Sequence, residues 1–298
     1  MRICFDRWCT INLPILKQYH TEGRHSCDIA IPACAWGIAD LDRKVRIIAL
    51  STINCQTLWQ NSKMNDEQSN TGTGGSIQAI GQTESLQEIR AALAKARKKL
   101  KSIPDDGNPV DRARALLDVA ELQLGLGVGG DAWMHAREAF SVFVDYEHWQ
   151  DAVEAVDILY QCDQADSIAA LGQGIWLAVT YPVKAQSTVA LLDHVIDETP
   201  DDSDGAAVAA MAAHYIADLR TEGEEKTSLS FLTTQMIARV AKRHRGIEDQ
   251  ETLNVWIEML QLNDIPELLK RLATIVDVMV ADKWWFNREE LRARLPVH

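Results

Sequence analysis

Among the things this chain lacks is any apolar run near the roughly 18 residues needed to cross a bilayer, which argues against a membrane-spanning helix. Its first residues make a poor secretion signal, because Asp6 and Arg7 interrupt them and no clean small-residue cleavage site follows. Beyond residue 63 there is one cysteine, Cys162. A body without disulfides suits a reducing compartment, and the expected location is the cytoplasm. Catalytic signatures are also missing: there is no Gly-x-Ser-x-Gly elbow and no His-Glu-x-x-His pair. The glycine stretch at Thr71–Gly75 lacks the Gly-Lys-Ser/Thr ending of a phosphate loop. Basic charge is scarce as well. Residues 64–298 hold 22 Lys/Arg against 38 Asp/Glu, a net of −16. So acidic a body repels a phosphate backbone and an anionic membrane surface, so neither nucleic acid nor membrane is an expected partner.

What is present is enough for a large core. A chain of 298 residues buries about 75% of its unfolded surface, and 47% of this one is hydrophobic. Residues 1–63 differ in kind from the rest, with 8 Lys/Arg against 5 Asp/Glu and five of the six cysteines (Cys4, Cys9, Cys27, Cys34 and Cys55). They show no helical stripe longer than about two turns and are expected to be irregular or disordered. Translation is expected to begin naturally at Met64, leaving 1–63 as an upstream extension. A rival reading makes it a metal or redox module using the cysteines with His20 and His25, although its spacings are not the Cys-x2-Cys knuckles of a structural zinc site. Residues 64–83 read as a flexible linker.

From there the pattern is helical. Ser85 and Glu88 have capping-box spacing ahead of a helix to about residue 101, whose basic end (Lys95, Arg97, Lys98, Lys99 and Lys101) reads as a solvated face favourable to the helix dipole. Helix-pair units then start near Val110, Glu147 and Lys184, about 37 residues apart. Their apolar positions recur at three and four residues: Leu116, Val119 and Ala120, then Val153 and Val156, then Ile168, Leu171 and Ile175. Asp131 is expected to cap the second helix of the first pair, and Ser203 or Asp204 that of the third. An interval of this size points to a helical repeat, in which each unit buries its stripe against its neighbours. The predicted fold class is all-α: helix-hairpin repeats over 84–222 and a C-terminal helical cap over 223–298.

The stretch 110–220 resembles tetratricopeptide-like repeats. Ala136, Ala139 and Phe140 match the small and aromatic positions of that family's second helix, and Pro182 and Pro200 match its terminal proline. The Leu-Gly-x-x-Tyr run of the first helix is missing, and these units exceed the family's 34 residues. The resemblance implies stacked hairpins with a concave groove that binds another protein.

Motifs that could carry chemistry read more plainly as structure. Gly125-Leu-Gly-Val-Gly-Gly130 fits G-x-G-x-x-G, but a helix precedes it where a dinucleotide site needs a strand, so it reads as a turn between helices. Asp145 with His148, and His194 with Asp197, are each spaced to share a helix face. A di-iron site would need Glu-x-x-His elements, and residues 64–298 contain none. Trp133, Trp149 and Trp176 fall at core spacing. Lys283-Trp284-Trp285-Phe286 carries three rings that point in different directions and reads as a hydrophobic plug sealing the last helices, the sharper alternative being that at least one ring stays exposed as an anchor. The expected role is a non-enzymatic adaptor or assembly factor that needs no cofactor or metal, with Trp284, Trp285 and Arg137 as partner-binding residues and the acidic face selecting a basic segment. The alternatives are an enzyme or accessory protein with an inter-helix pocket, and a metal or redox carrier using the early cysteines.

Overall fold

Three consecutive helix hairpins form the centre of the protein, and each closes because its loop chemistry stops one helix and starts the next. The structure is a computed structural model that describes residues 75–104 and 106–295. The early cysteines, His20, His25 and Met64 therefore lie outside the described residues. Among the described residues there are eleven helices and no strand. They are α1 (Gly75–Lys101), α2 (Pro109–Gly125), α3 (Gly129–Asp145), α4 (Trp149–Gln161), α5 (Ser167–Thr180), α6 (Ala185–Glu198), α7 (Asp204–Arg220), α8 (Gly223–Arg245), α9 (Gln250–Met259), α10 (Ile265–Val280) and α11 (Arg288–Ala293).

The pairs α2/α3, α4/α5 and α6/α7 begin at Pro109, Trp149 and Ala185, intervals of 40 and 36 residues, close to the predicted 37. Asn108 accepts from the Val110 amide at 3.0 Å, with Pro109 in the first helical position where its missing N–H costs nothing. Ser203, Asp249, Asp264 and Asn287 cap their helices in the same way. Asp131 does not. Helix α3 starts two residues earlier, at Gly129, and its flanking Val128 makes no side-chain cap. The reason is packing: a Cβ on Gly129 would stand 2.8 Å from the Cys162 carbonyl, so glycine lets the helix begin against the end of α4. Helix α1 likewise begins ten residues ahead of the Ser85 capping box.

Arginines finish what the loops leave open. Arg220 of α7 donates to the Ala178 and Val179 carbonyls at 2.7 and 3.0 Å, closing the C-terminus of α5. Arg243 of α8 does this for Ile196 of α6 and for Thr199 just after it, and Arg271 of α10 for Leu260 after α9. Each supplies hydrogen bonds and positive charge where a helix ends in unpaired carbonyls. The short α9 is fixed by buried Trp256, whose indole N–H donates to His244 Nδ1 at 3.1 Å. Indole can only donate, so that ring nitrogen carries no proton.

The first helices α2, α4, α6 and α8 pack side by side, whereas the second helices α3, α5 and α7 do not meet one another. The C-terminal segment separates them. Helix α10 lies against α5 and α7, and the aromatic run after it lies against α3 and α5. Seven buried alanines in α7 allow α6, α8 and α10 to approach it together. Helix α5 is the most enclosed: every residue except Ile168 is buried. Its glycines mark the closest approaches. A Cβ on Gly172 would stand 2.7 Å from Val280 of α10, and one on Gly174 would stand 2.3 Å from Val156 of α4.

Two alanine substitutions test this packing by urea denaturation. Gly174→Ala is expected to lower stability by about 3 kcal/mol, since the enclosing helices cannot move apart freely. Gly130→Ala, in α3 with open space around the new Cβ, is expected to raise it by up to about 1 kcal/mol.

Candidate functional site

Two regions hold the side chains that could act on something else: the closing segment on the second-helix side, and the row of first helices. The closing segment begins where α10 stops. Lys283 N–H bonds the Val280 carbonyl at 3.0 Å, and Ala281 between them has φ 50° and ψ −125°. That is the first central position of a type II′ turn, which glycine prefers. The chain then runs as an extended strap onto α5. Buried Gln173 holds it at two points, accepting from the Trp285 amide at 2.8 Å and donating to the Lys283 carbonyl at 3.5 Å.

The three rings of the strap, all half-buried, share the aromatic side chains of α3 and α5. Trp285 meets Phe140 edge-on at 5.4 Å and Trp133 at 6.1 Å, and the Arg137 guanidinium lies 3.9 Å over its ring. Burial pulls the Arg137 pKa below its ordinary value, although a guanidinium still keeps its proton. Phe286 lies 5.5 Å from Trp176, and Trp284 stands edge-on to Trp176 at 6.1 Å, with Arg288 3.9 Å over its outer face. Beyond them α11 is tied by the Tyr181 hydroxyl, which donates to the Leu291 carbonyl at 3.1 Å, and by Arg294 to Glu147 at 3.2 Å. Burial first, with the Glu147 charge adding to it, pushes the Tyr181 phenol up to about 12, so it stays a donor. The predicted anchors Trp285 and Arg137 thus come together, and Trp284 lies beside them on the same strap. Trp176 is fully buried, while Trp133 and Trp149 pack partly buried against the core, in line with their spacing.

The first-helix row is held by polar bonds at the repeat separation. Arg114 pairs with Asp151 at 3.1 Å, Gln150 with Ser187 at 2.8 Å and His194 with Asp157 at 2.8 Å, each pair 37 residues apart. Tyr160 donates to Glu198, 38 residues on. The predicted same-face pairs give way to these: His148 bonds Asp151, and His194 bonds Asp157, in place of Asp145 and Asp197. A bond across helices wins because α4 and α6 stand in register, which brings Asp157 directly opposite His194. Burial draws the His194 pKa down, but the Asp157 hydrogen bond and charge, with Asp193 and Asp197 nearby, outweigh it and leave the pKa raised. The Tyr160 ring lies tilted against that imidazole at 4.4 Å, and burial with the Glu198 hydrogen bond raises its pKa.

Little of this suits bond-making chemistry. Burial pushes the Cys162 thiol up to about 11, the opposite of what a nucleophile needs. Among the described residues no group of three or more His, Cys, Asp or Glu side chains is gathered as a metal ion would require. The Gly125–Gly130 run joins α2 to α3, with Gly127 at φ 73°. Sequence reasoning missed Gln173. Its signal was there: one amide flanked by two glycines in an otherwise apolar helix must find buried partners.

Gln173→Ala removes both backbone bonds to the strap and is expected to cost about 2 kcal/mol in denaturation, with a red shift in tryptophan fluorescence. For His194 the folded pKa lies above its ordinary 6.5. Its contribution is therefore fully present below about 6.5 and lost as pH rises through the folded value. The denaturation midpoint is expected to fall over that window, and Asp157→Asn is expected to flatten the fall. No protein family, curated protein or solved structure matches the chain, so its function is argued from its own geometry.

Proposed function

We propose that the chain is a non-enzymatic scaffold of the cytoplasm, an adaptor or assembly factor, that binds another protein along its first-helix face in the manner of tetratricopeptide-like repeats. The supporting observation is the row α2, α4, α6 and α8, in which the side-chain bonds joining α2, α4 and α6 repeat at the spacing of the units. Such a row offers one extended surface rather than a closed pocket. The opposite side is taken up by the chain's own C-terminal segment. The face carries Asp118, Glu154, Asp193, Asp197 and Glu198, and although Lys99 answers Asp118 and Arg239 answers Asp193 and Asp197, the acids outnumber these cations, which favours a partner segment rich in Lys and Arg and disfavours nucleic acid and anionic membrane. No helix among the described residues is long and apolar enough to cross a membrane. On α8 the exposed Leu232 lies two turns before Arg239 on the same stripe, adding apolar contact at the end of the row.

A second reading, an enzyme or accessory protein with an inter-helix pocket, has one observation in its favour. An apolar groove of about 420 Å³ lies between Gly205 and Val208 of α7 and Arg271, Ile275 and Met279 of α10. That volume is enough for a small ligand.

The test is cross-linked co-purification from the native host, comparing the wild type with a Glu154→Lys/Asp197→Lys chain. The adaptor reading expects one recurrent protein bound by the wild type. The double reversal is expected to weaken its capture about tenfold, as is raising the salt several-fold. A chain that always emerges alone, and is stabilised instead by a small molecule filling the α7/α10 groove, would establish the second reading.

A further inference from the structure

The strap, residues 281–295, is attached to the helices beneath it as a bound peptide is attached to a receptor. Its backbone is gripped by the Gln173 amide, its rings enter a seat formed by Trp133, Phe140 and Trp176, and Arg137 closes over Trp285. Helix α10 is different in kind. Its Leu268, Leu269, Leu272, Val276 and Val280 are buried core residues, whereas the strap contributes only Leu291 to that set. Apart from the buried bond of Tyr181 to the Leu291 carbonyl, its remaining ties are between exposed groups: Lys283 with Asp166, Arg288 with Asp277, and Arg294 with Glu147. Bonds of that type hold weakly and are screened by salt. Helix α11, of six residues, is too short to be stable by itself.

Two further observations favour release. The joint is strained, since Ala281 occupies a conformation that L-residues rarely adopt, and opening the turn relieves it. The seat does not depend on the strap for its existence either. Helix α3 packs on α2 and α4, and α5 packs on α4 and α6, so each helix that carries the seat has packing partners besides the strap. A vacated seat would bare three large aromatic side chains side by side, a patch that seeks cover. The segment that fits it is carried by every copy of the chain.

We propose that residues 281–295 are a releasable ligand, and that two copies of this chain exchange them, each seat taking the other's strap through the same Gln173 and Arg137 contacts. A closed two-fold pair results, with no new surface required. The exchange does not rest on the adaptor reading, because it uses the opposite side of the helices.

Two full-length variants test it by complementation. Gln173→Ala leaves a good strap and a damaged seat, and Trp285→Ala leaves a good seat and a damaged strap. Each alone is expected to remain monomeric in sedimentation, while an equimolar mixture forms a 1:1 complex at least tenfold above the level in either. No complex from two variants that both keep their helical circular dichroism would overturn the proposal. If either variant fails to fold, hydrogen exchange on the wild type decides. Amides of 284–291 opening at least tenfold faster than those inside α5, with a dimer fraction that rises with concentration, support exchange. Strap amides that open only with global unfolding, or a chain that remains monomeric after incubation at high concentration, refute it.

Discussion

The described residues are organised around one helix that is buried along all its length but Ile168. Helix α5 meets α4 and α6 on one flank, α10 on another and the strap on a third, and three adjacent residues divide the work. Gly174 admits Val156, Gly172 admits Val280, and Gln173 between them supplies the polar bonds that an extended segment needs in a dry place. A larger residue at either glycine would push apart helices that have no slack, because protein interiors are packed to crystal density. An apolar residue at Gln173 would leave a backbone N–H and a carbonyl of the strap without partners, at a cost comparable to several buried methyl groups. The all-α architecture follows from this enclosure more than from any single helix propensity.

The fan of helices explains why the chain comes back on itself. First helices in direct contact and second helices held apart leave two wedge-shaped gaps on one side. Alanines on α7 and glycine on α5 suit the first gap to a regular helix, and α10 fills it. The second gap is bordered by Trp133, Phe140 and Trp176, whose bulk suits aromatic rings better than a helix. The order of the C-terminal sequence, an apolar helix followed by Trp-Trp-Phe, matches the order of the gaps.

Local rules written in the sequence carried far. The 3.6-residue stripes, the cap at Ser203 and the 37-residue interval all reappear, the last as the separation of bonds between Arg114 and Asp151 and between Asp157 and His194. What the stripes could not convey is which helices meet when sequence neighbours do not. Asp131 looked like a cap because nothing in the sequence reports that Gly129 must fit under the Cys162 carbonyl. The histidine pairs were assigned along single helices, whereas α4 and α6 standing in register offered His194 the better acid. The rings at 284–286 stood out by composition, but their destination lies about 110 residues back at Gln173. A contact at that distance leaves no periodic trace.

The two sides of the helix rows also differ in how they can respond to conditions. On the first-helix side the ties are polar and acidic, and the pairing of His194 with Asp157 weakens as the imidazole loses its proton. On the second-helix side the strap is held by buried amide bonds and ring contacts that are insensitive to proton concentration, with salt acting only on its exposed outer pairs. A rise in pH therefore loosens the pairing of α4 with α6 while leaving the seat of the strap intact, whereas added salt screens the exposed ion pairs on both sides. The same three hairpins thus present one face whose ties answer to the protonation of His194 and one held by amide bonds and ring contacts, with the enclosed α5 packed between them.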